Sequence, residues 1–346
     1  MKSHPSMLLV SLVLAAAGCK SKDAAPAGEA KPAVAAATSD ASPAPPVADA
    51  GPTEAEKVAK ALQDAEAEAA KEKQRWTPEL TARAVAVRDG KYADTAAALT
   101  AILASDHRTP GHRDRDAARH PVETLTFFGL EPTMTVVELG AGGGWYTELL
   151  APLLAGRGKL IVAGPDAAGP ADKMSTVYGR RLDLFLARSP ELFGKVERVA
   201  IGGPDAIRLG PDGSADLVLA IREMHNWQRR GELAAYLGAV HAVLKDGGTF
   251  GVVAHRARPD AKAEATAEQG YLPEAWVVEQ VKAAGFELVG ASEVNANPKD
   301  TKDYEKGVWT LPPNYRLGET DKAKYAAIGE SDRMTLRFKK VAAKKS

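Results

Sequence analysis

The sequence predicts an α/β fold built on a mostly parallel sheet, and two stretches carry this prediction. Residues 135–150, TVVELGAGGGWYTELL, place a β-branched apolar run before closely spaced glycines and an apolar helical pattern. This order indicates a strand, a tight turn and a helix. Residues 215–221, ADLVLAI, run apolar without a break after one acid, as a strand buried on both faces requires. From residue 76 onward about 270 residues remain, enough for one large domain with its own core.

The chain begins with a short apolar segment that ends at its only cysteine. Lys2 is positively charged, and residues 7–17 form an apolar run that is too short to span a membrane. This run ends in AAGC, at residues 16–19. This pattern resembles a secretory signal with a bacterial lipoprotein box. The resemblance implies a signal peptide over residues 1–19, a lipid on Cys19 and attachment to the cell envelope. Lys20 is not the aspartate associated with inner-membrane retention, so we expect the outer membrane, facing the periplasm.

The next two segments differ sharply in composition. Residues 20–53 are mostly Ala, Pro, Ser, Gly and Asp, which predicts a disordered linker. Residues 54–75 are Ala-rich with mixed Lys and Glu and predict a helix. Its apolar stripe is thin, with Val58 and Leu62, so we expect a semi-rigid spacer outside a domain of residues 76–346.

Charge and composition narrow the class of partner. Basic and acidic residues number 45 each, which leaves no excess positive charge for nucleic acid. With Cys19 acylated, no thiol remains for a disulfide or a metal. We therefore expect a monomer that acts on a small molecule, without a nucleic-acid partner or a metal.

Residues 77–104 predict one or two helices, and a polar segment rich in His, Arg and Asp follows over residues 105–130. A solvated surface explains most of these charges. Arg113, Asp114, Arg119 and His120 nevertheless lie just before the first strand, where they could also line a ligand site.

The glycine turn carries the clearest chemical signal. Glycines suit a chain that turns sharply against a ligand, since they lack Cβ and adopt positive φ. In a dinucleotide-binding G-x-G-x-x-G pattern the third glycine would fall on Trp145, which argues against NAD and FAD. The spacing E-x-G-x-G-x-G, formed by Glu138, Gly140, Gly142 and Gly144, resembles motif I of the class I S-adenosylmethionine (SAM) dependent methyltransferases.

Two further strands predict the remaining cofactor contacts. Residues 158–163 and 196–201 read as the second and third strands. In the methyltransferases that the turn resembles, an acid after the second strand holds the ribose hydroxyls, and here Asp166 is the candidate. An acid after the third strand contacts the adenine amino group, which points to Asp205. A turn-forming role after proline explains Asp205 equally well.

Two histidines follow later strands. Residues 215–221 lead into REMHNW, and residues 249–254 lead to His255, so both lie at the carboxyl edge where ligands bind. His225 is either a general base, its pKa close to neutral, or a residue that caps the next helix. Helices are predicted at residues 233–244, closed by a KDGG turn, and at 276–284, with strands at 286–290 and 334–338. The stretch TKDYEKGVWTLPP between these last strands is expected to wall the acceptor pocket.

Taken together, residues 105–341 resemble a family of predicted bacterial methyltransferases of undefined substrate. The shared stretches are SDHRTPGHRDRDAARHPVETLTFFG, VVELGAGGGWYTE, REMHNW, AHRA, VWTLPP and IGESDRMTLRF. The resemblance implies a Rossmann-like, seven-stranded, mostly parallel sheet with its last strand antiparallel and helices on both faces. It also implies an enzyme that uses SAM, with His225 and His255 presenting the acceptor.

Two alternatives stay open at this stage, because SAM is made in the cytoplasm and an envelope protein has no obvious supply of it. One is a non-catalytic envelope protein that binds a ligand on a methyltransferase fold. The other is a structural tether acting through its Ala-rich helix, which predicts no ligand at all.

Overall fold

A computed structural model describes residues 51–203 and 207–342 of the chain. The predicted signal peptide, Cys19, most of the predicted linker and Asp205 lie outside the described residues. The strands are β1 (Thr135–Leu139), β2 (Lys159–Pro165), β3 (Glu197–Ile201), β4 (Ala215–Ile221), β5 (Leu244–His255), β6 (Phe286–Ser292) and β7 (Arg333–Lys340).

Helices precede the first strand and connect most of the others. They are α1 (Glu54–Arg75), α2 (Pro78–Arg88), α3 (Thr95–Ala104), α4 (Asp116–Arg119), α5 (Pro121–Phe127), α6 (Thr147–Leu154), α7 (Met174–Leu186), α8 (Pro190–Phe193), α9 (Met224–Arg229), α10 (Leu233–Val243), α11 (Ala263–Thr266), α12 (Glu274–Ala283) and α13 (Lys322–Ile328). The region predicted as one or two helices over residues 77–104 contains α2 and α3.

The strands form one seven-stranded sheet in the order β3-β2-β1-β4-β5-β7-β6. Strands β1 to β5 pair in parallel, whereas β7 runs antiparallel to both β5 and β6. The predicted sheet, mostly parallel with an antiparallel last strand, is confirmed. The strand order reverses between β1 and β4, which creates a crevice at the carboxyl edge where open α/β sheets bind their ligands.

Helices cover both faces of the sheet. Successive strand residues point to opposite sides, so one strand can bury apolar side chains against both layers of helices. On β1, Val137 belongs to the apolar cluster that includes α10 and α12, and Val136 belongs to the cluster that includes α3, α6 and α7. Both side chains are fully buried. Within the described residues, no helix is both long and apolar enough to cross a membrane.

One predicted turn is wrong. The KDGG stretch at residues 245–248 was expected to close the preceding helix, yet β5 already begins at Leu244, which pairs with Ala215. The next pair joins Thr249 to Leu217, so the intervening residues bulge out of the strand. Gly247, with a φ of +69°, allows this bulge.

Helix α1 has the predicted bounds but differs from the predicted spacer in its packing. Val58 and Ala65 are buried, and the helix packs against α7. At its end the Arg75 guanidinium donates hydrogen bonds to the carbonyls of Asp106 and His107, at 2.8 and 3.1 Å. These polar contacts compensate for the thin apolar stripe and attach the helix to the folded domain.

Candidate functional site

The glycine turn after β1 forms a loop at the carboxyl edge of the sheet. Gly140, Gly142 and Gly144 have φ values of +65°, +58° and +79°, a region that L side chains rarely adopt. A Cβ on Gly140 would overlap the Glu223 carboxyl group, and one on Gly144 would lie 2.5 Å from the Phe185 ring. A Cβ on Gly142 would touch only the Gly140 carbonyl oxygen, at 4.0 Å, so this glycine lies where a ligand can approach the backbone.

Glu138 is buried at the base of this loop and accepts a 2.7 Å hydrogen bond from Thr147 Oγ1. Burial raises the pKa of Glu138 to about 7, and the hydrogen bond from Thr147 opposes that rise. Since Glu138 is the last residue but one of β1 and Thr147 is the first residue of α6, the bond joins the two sides of the loop. Glu138 therefore holds the two ends of the loop together.

Asp166 lies closer to the end of the second strand than the predicted strand bounds placed it. Strand β2 continues to Pro165, two residues beyond its predicted end at residue 163, so Asp166 follows the strand directly. Its side chain is half-buried, and its Oδ1 accepts a 2.8 Å hydrogen bond from the Ala168 amide. The second predicted acid, Asp205, belongs to the residues that the structure does not describe.

Strand β4 is followed by two charged residues, Arg222 and Glu223, which the sequence pattern groups in the REMHNW stretch without a separate role for either. Arg222 adopts a φ of +63° and its amide donates a 2.7 Å hydrogen bond to the Val253 carbonyl. Strained non-glycine residues of this kind cluster at functional sites. The carboxyl group of Glu223 lies against Gly140, and burial raises its pKa to about 7.

The two predicted histidines come together at the ends of β4 and β5. The rings of His225 and His255 are buried, and their centroids lie 5.6 Å apart. The Trp309 ring is 6.0 Å from His225, so the VWTLPP stretch contributes to the wall of this site. His255 Nδ1 lies 2.5 Å from Ser331 Oγ, a contact that fixes the orientation of its ring.

The acid–base properties of these histidines differ from the expectation. Burial, assisted by the charges of Arg229 and Arg222, lowers the pKa of His225 to about 3 instead of leaving it near neutral. Burial and the neighbouring His225 also lower the pKa of His255 well below its usual value. Both imidazoles are therefore neutral at physiological pH, and a general base needs a pKa nearer its working pH. Their surroundings favour a positioning role.

The polar segment before β1 forms a strap over residues 105–120, held mainly by Glu148 of α6. The buried Glu148 carboxylate accepts hydrogen bonds from His112 Nδ1 at 2.8 Å and from the Thr109 amide and hydroxyl at 3.0 Å each. It also pairs with the buried guanidinium of Arg108. The strap in turn accepts a 2.9 Å hydrogen bond from Trp145 Nε1 through the His112 carbonyl, which fixes the end of the glycine loop.

The four strap residues singled out from the sequence have different surroundings. Arg113 and Asp114 are exposed, and Arg113 pairs with Asp106 at 3.2 Å. His120 is half-buried, with its Nδ1 3.5 Å from Asn295 Oδ1. Arg119 is buried, and its guanidinium carbon lies 4.3 Å from the Trp145 ring centroid. Arg119 alone of these four lies against the glycine loop.

In the described parts of the chain, no group of three or more His, Cys, Asp or Glu side chains is arranged to hold a metal ion.

No protein-family model and no curated protein sequence matches this chain. Among solved structures, a SAM-dependent methyltransferase from Aquifex aeolicus is similar at 18% identity over 70% of this chain and 98% of its own, with a TM-score of 0.44. The 1,6-didemethyltoxoflavin N1-methyltransferase from Burkholderia thailandensis was solved with 1,6-didemethyltoxoflavin and S-adenosylhomocysteine bound. It is similar at 17% identity over 73% of this chain and 93% of its own, with a TM-score of 0.40. The cyclase SpnF is similar at 17% identity over 65% of this chain and 81% of its own, with a TM-score of 0.45.

These identities and TM-scores are low. The fold assignment therefore rests on the strand order and strand directions of this chain, and any function must be argued from its own site.

Proposed function

We propose that this chain is a SAM-dependent methyltransferase that acts on a small-molecule acceptor. The observation that carries the proposal is the loop of left-handed glycines after β1, placed where the strand order reverses between β1 and β4. Such a crevice is the general ligand site of open α/β sheets. The loop has no Lys-Ser/Thr pair after it, and Trp145 stands where a dinucleotide-binding loop has its third glycine. It therefore matches neither of these phosphate-binding patterns.

The side chains around the loop fit the parts of SAM. Asp166, directly after β2, would hold the ribose hydroxyls, because a carboxylate offers two adjacent acceptor oxygens. Gly142, whose Cβ would touch only the Gly140 carbonyl oxygen, would allow close approach of the backbone. The Glu223 carboxyl group at Gly140 would complement a positive charge. Asp205 remains a proposed adenine contact on the sequence pattern alone.

The residues at the ends of β4 and β5 would hold the acceptor. When bound, SAM supplies a methyl group that its sulfonium already activates, so alignment accounts for most of the rate. His225 and His255, neutral and 5.6 Å apart, would orient the acceptor through hydrogen bonds. Trp309, 6.0 Å from His225, would exclude water from the reacting groups.

Calorimetric titration of the full chain with SAM and S-adenosylhomocysteine tests this proposal. We expect binding with a dissociation constant on the order of micromolar and loss of that binding in Gly142→Leu. A well-folded chain that binds neither compound would overturn the cofactor assignment. Methyl transfer is tested separately, by incubating the chain with methyl-labelled SAM and a small-molecule extract of the envelope.

A second candidate function is ligand binding without catalysis. The low pKa of His225, about 3, favours it, because such an imidazole is a weak base. This alternative predicts that SAM binds but that no label is transferred to any acceptor.

We also propose that the chain is a lipoprotein anchored through Cys19 and facing the periplasm from the outer membrane. The support is the AAGC stretch after a short apolar core. In a cell expressing the full chain, Cys19→Ser is expected to move the protein from the membrane pellet to the soluble fraction. A variant that stays in the pellet would contradict this proposal.

A further inference from the structure

Four arginines and one glutamate lie together between the strap and the end of β4. Arg115 Nε lies 2.6 Å from Glu330 Oε1, and Arg333 Nη1 lies 2.9 Å from Glu330 Oε2. Both carboxylate oxygens of Glu330 are therefore taken by these two arginines. The positive charges of Arg119 and Arg222 lie in the same cluster.

Arg119 and Arg222 have no carboxylate of their own among the described residues. Arg119 is 2% exposed, and its buried Nε and Nη1 donate to no described group. The buried Nε of Arg222 is in the same situation. Trp145 beneath Arg119 offers a favourable ring face at 4.3 Å, but a ring accepts no N–H···O hydrogen bond. Buried charges are normally paired and hydrogen-bonded, whereas the buried N–H groups of these two arginines, Nε and Nη1 of Arg119 and Nε of the half-buried Arg222, have no described acceptor.

The position of the two arginines points to the acceptor side of the site. Arg119 lies on Trp145, the residue after the glycine loop, and Arg222 precedes His225 by three residues at the end of β4. After burial and His225, the charges of Arg222, Arg333 and Arg119 help to lower the pKa of His255. Arg119 therefore lies against the residue that follows the glycine loop, and the charges of both arginines act on His255.

We propose that Arg119 and Arg222 form an anion site that holds a carboxylate or phosphate group of the methyl acceptor. The inference rests on the methyltransferase function proposed above and narrows its substrate to acidic small molecules. Planar guanidinium groups match both acids well, because two parallel N–H groups can bond two oxygens of one acid. The negative charge of the bound acid would balance the positive charges of Arg119 and Arg222, which pair with no described carboxylate.

The test is calorimetric titration of the full chain with inorganic phosphate and with malonate, in the presence of saturating S-adenosylhomocysteine. We expect Arg119→Leu and Arg222→Leu each to weaken binding of at least one of the two anions by about tenfold or more, as for a lost charged hydrogen bond. Arg113→Leu is the control, since Arg113 is exposed in the same strap and pairs with Asp106. Thermal unfolding of each variant checks that it is folded.

A second pair of titrations separates the two possible sources of the acid, since SAM itself carries a carboxylate. We expect both leucine variants to bind S-adenosylhomocysteine as the unchanged chain does. If they lose it by tenfold while still binding 5′-methylthioadenosine, which lacks the carboxylate, the acid is that of the cofactor and the acceptor assignment is overturned. Unchanged anion binding in both variants, or no anion binding by the unchanged chain, also overturns it. Anion binding to a chain that binds no S-adenosylhomocysteine would instead reject the proposed function.

Discussion

Thr147 Oγ1 donates a 2.7 Å hydrogen bond to the buried carboxyl group of Glu138 and thereby closes the glycine loop between β1 and α6. The bond connects residues nine positions apart, and all three left-handed glycines lie between them. The shape of the glycine loop therefore depends on the protonation and hydrogen bonding of one carboxyl group.

Removing the Thr147 hydroxyl should weaken the folded state. In Thr147→Val the Glu138 carboxyl group loses this donor, which should lower the free energy of unfolding by about 1–3 kcal/mol at pH 9. The loss should shrink near pH 5, because Glu138, with a pKa of about 7, is protonated there in the folded chain. Urea unfolding at both pH values measures it. Thr147→Ser, which keeps the hydroxyl, should show a loss that does not change with pH.

A bulky side chain at Gly142 should block the cofactor while leaving the chain folded. Its Cβ would touch only the Gly140 carbonyl oxygen, at 4.0 Å, so Gly142→Leu clashes with no described residue and costs about 1–2 kcal/mol of backbone strain. Affinity for S-adenosylhomocysteine should fall by about tenfold or more, a penalty of 1.4 kcal/mol. The matched control is Gly247→Leu, which has a φ of +69° and open space but lies in the β5 bulge. Retained binding in the Gly142 variant would remove the loop from the site.

Glu148 should be among the most sensitive positions of the strap. Glu148→Gln leaves the buried Arg108 guanidinium without its full counter-charge, so we expect a loss of about 3 kcal/mol or more in urea unfolding. Asp106→Asn weakens two exposed pairs in the same region, with Arg113 and with Arg83, and should cost less than about 1 kcal/mol. Equal losses in the two variants would mean that the strap is not held through Glu148.

The backbone of Arg222 should lower the stability of the folded chain, while its guanidinium group binds the ligand. Its φ of +63° strains any residue with a Cβ, so Arg222→Gly should be more stable than Arg222→Ala by about 1 kcal/mol. Both variants should weaken binding of phosphate or malonate to the same extent, because both remove the guanidinium group. Equal urea midpoints for the two would show that the backbone at this position is not strained.

Acid should unfold the chain in a narrow range below pH 4.5. Burial lowers the pKa of His107 to about 4 and that of His225 to about 3, so the unfolded chain takes up protons first and stability falls as the pH drops below 6.5. Glu148 and Glu330 have pKa values of about 2 because their charged partners outweigh burial, and their contributions are lost as the pH falls from 4.5.

Two other carboxyl groups act in the opposite sense at higher pH. The raised pKa values of Glu138 and Glu223, about 7, let the folded chain take up protons first between pH 7 and 4.5. Between pH 7 and 4.5 they therefore add stability as the pH falls and partly offset the stability that the histidines lose. Below pH 4.5 they no longer do so. Each unopposed group then changes stability by about 1.4 kcal/mol per pH unit. Circular dichroism over a pH series should therefore show a steep transition between about pH 3 and 4.5, and a folded chain at pH 2 would contradict this.

The sequence predicted elements whose determinants are local. The bounds of α1 and β4 agree with the prediction, because an Ala-rich run and a continuous apolar run each specify one structure. The pairing of His225 with His255 was also predictable, since parallel strands bring their carboxyl ends to one edge. The KDGG bulge was missed because a glycine with positive φ suits a helix end and a bulge equally well.

Contacts between distant parts of the chain were not predictable in the same way. Ser331 lies 76 positions from His255, and no local pattern joins them. Arg119 was noted only as one of several charges, and its place on Trp145 depends on how the strap folds back. The low pKa of His225 follows from burial by residues of several elements, which a sequence pattern does not reveal.

The insertion of β7 between β5 and β6 has a consequence for how the site assembles. The last strand to be synthesised enters the sheet between two earlier ones, and Ser331 and Glu330, which contact His255 and the arginines, immediately precede it. Pairings this far apart along the chain form late, because closing a long loop costs entropy before any contact offsets it. A ribosome-bound chain that has released only its first six strands would therefore have the glycine loop before it has the contacts of Ser331 and Glu330 with His255 and the arginines.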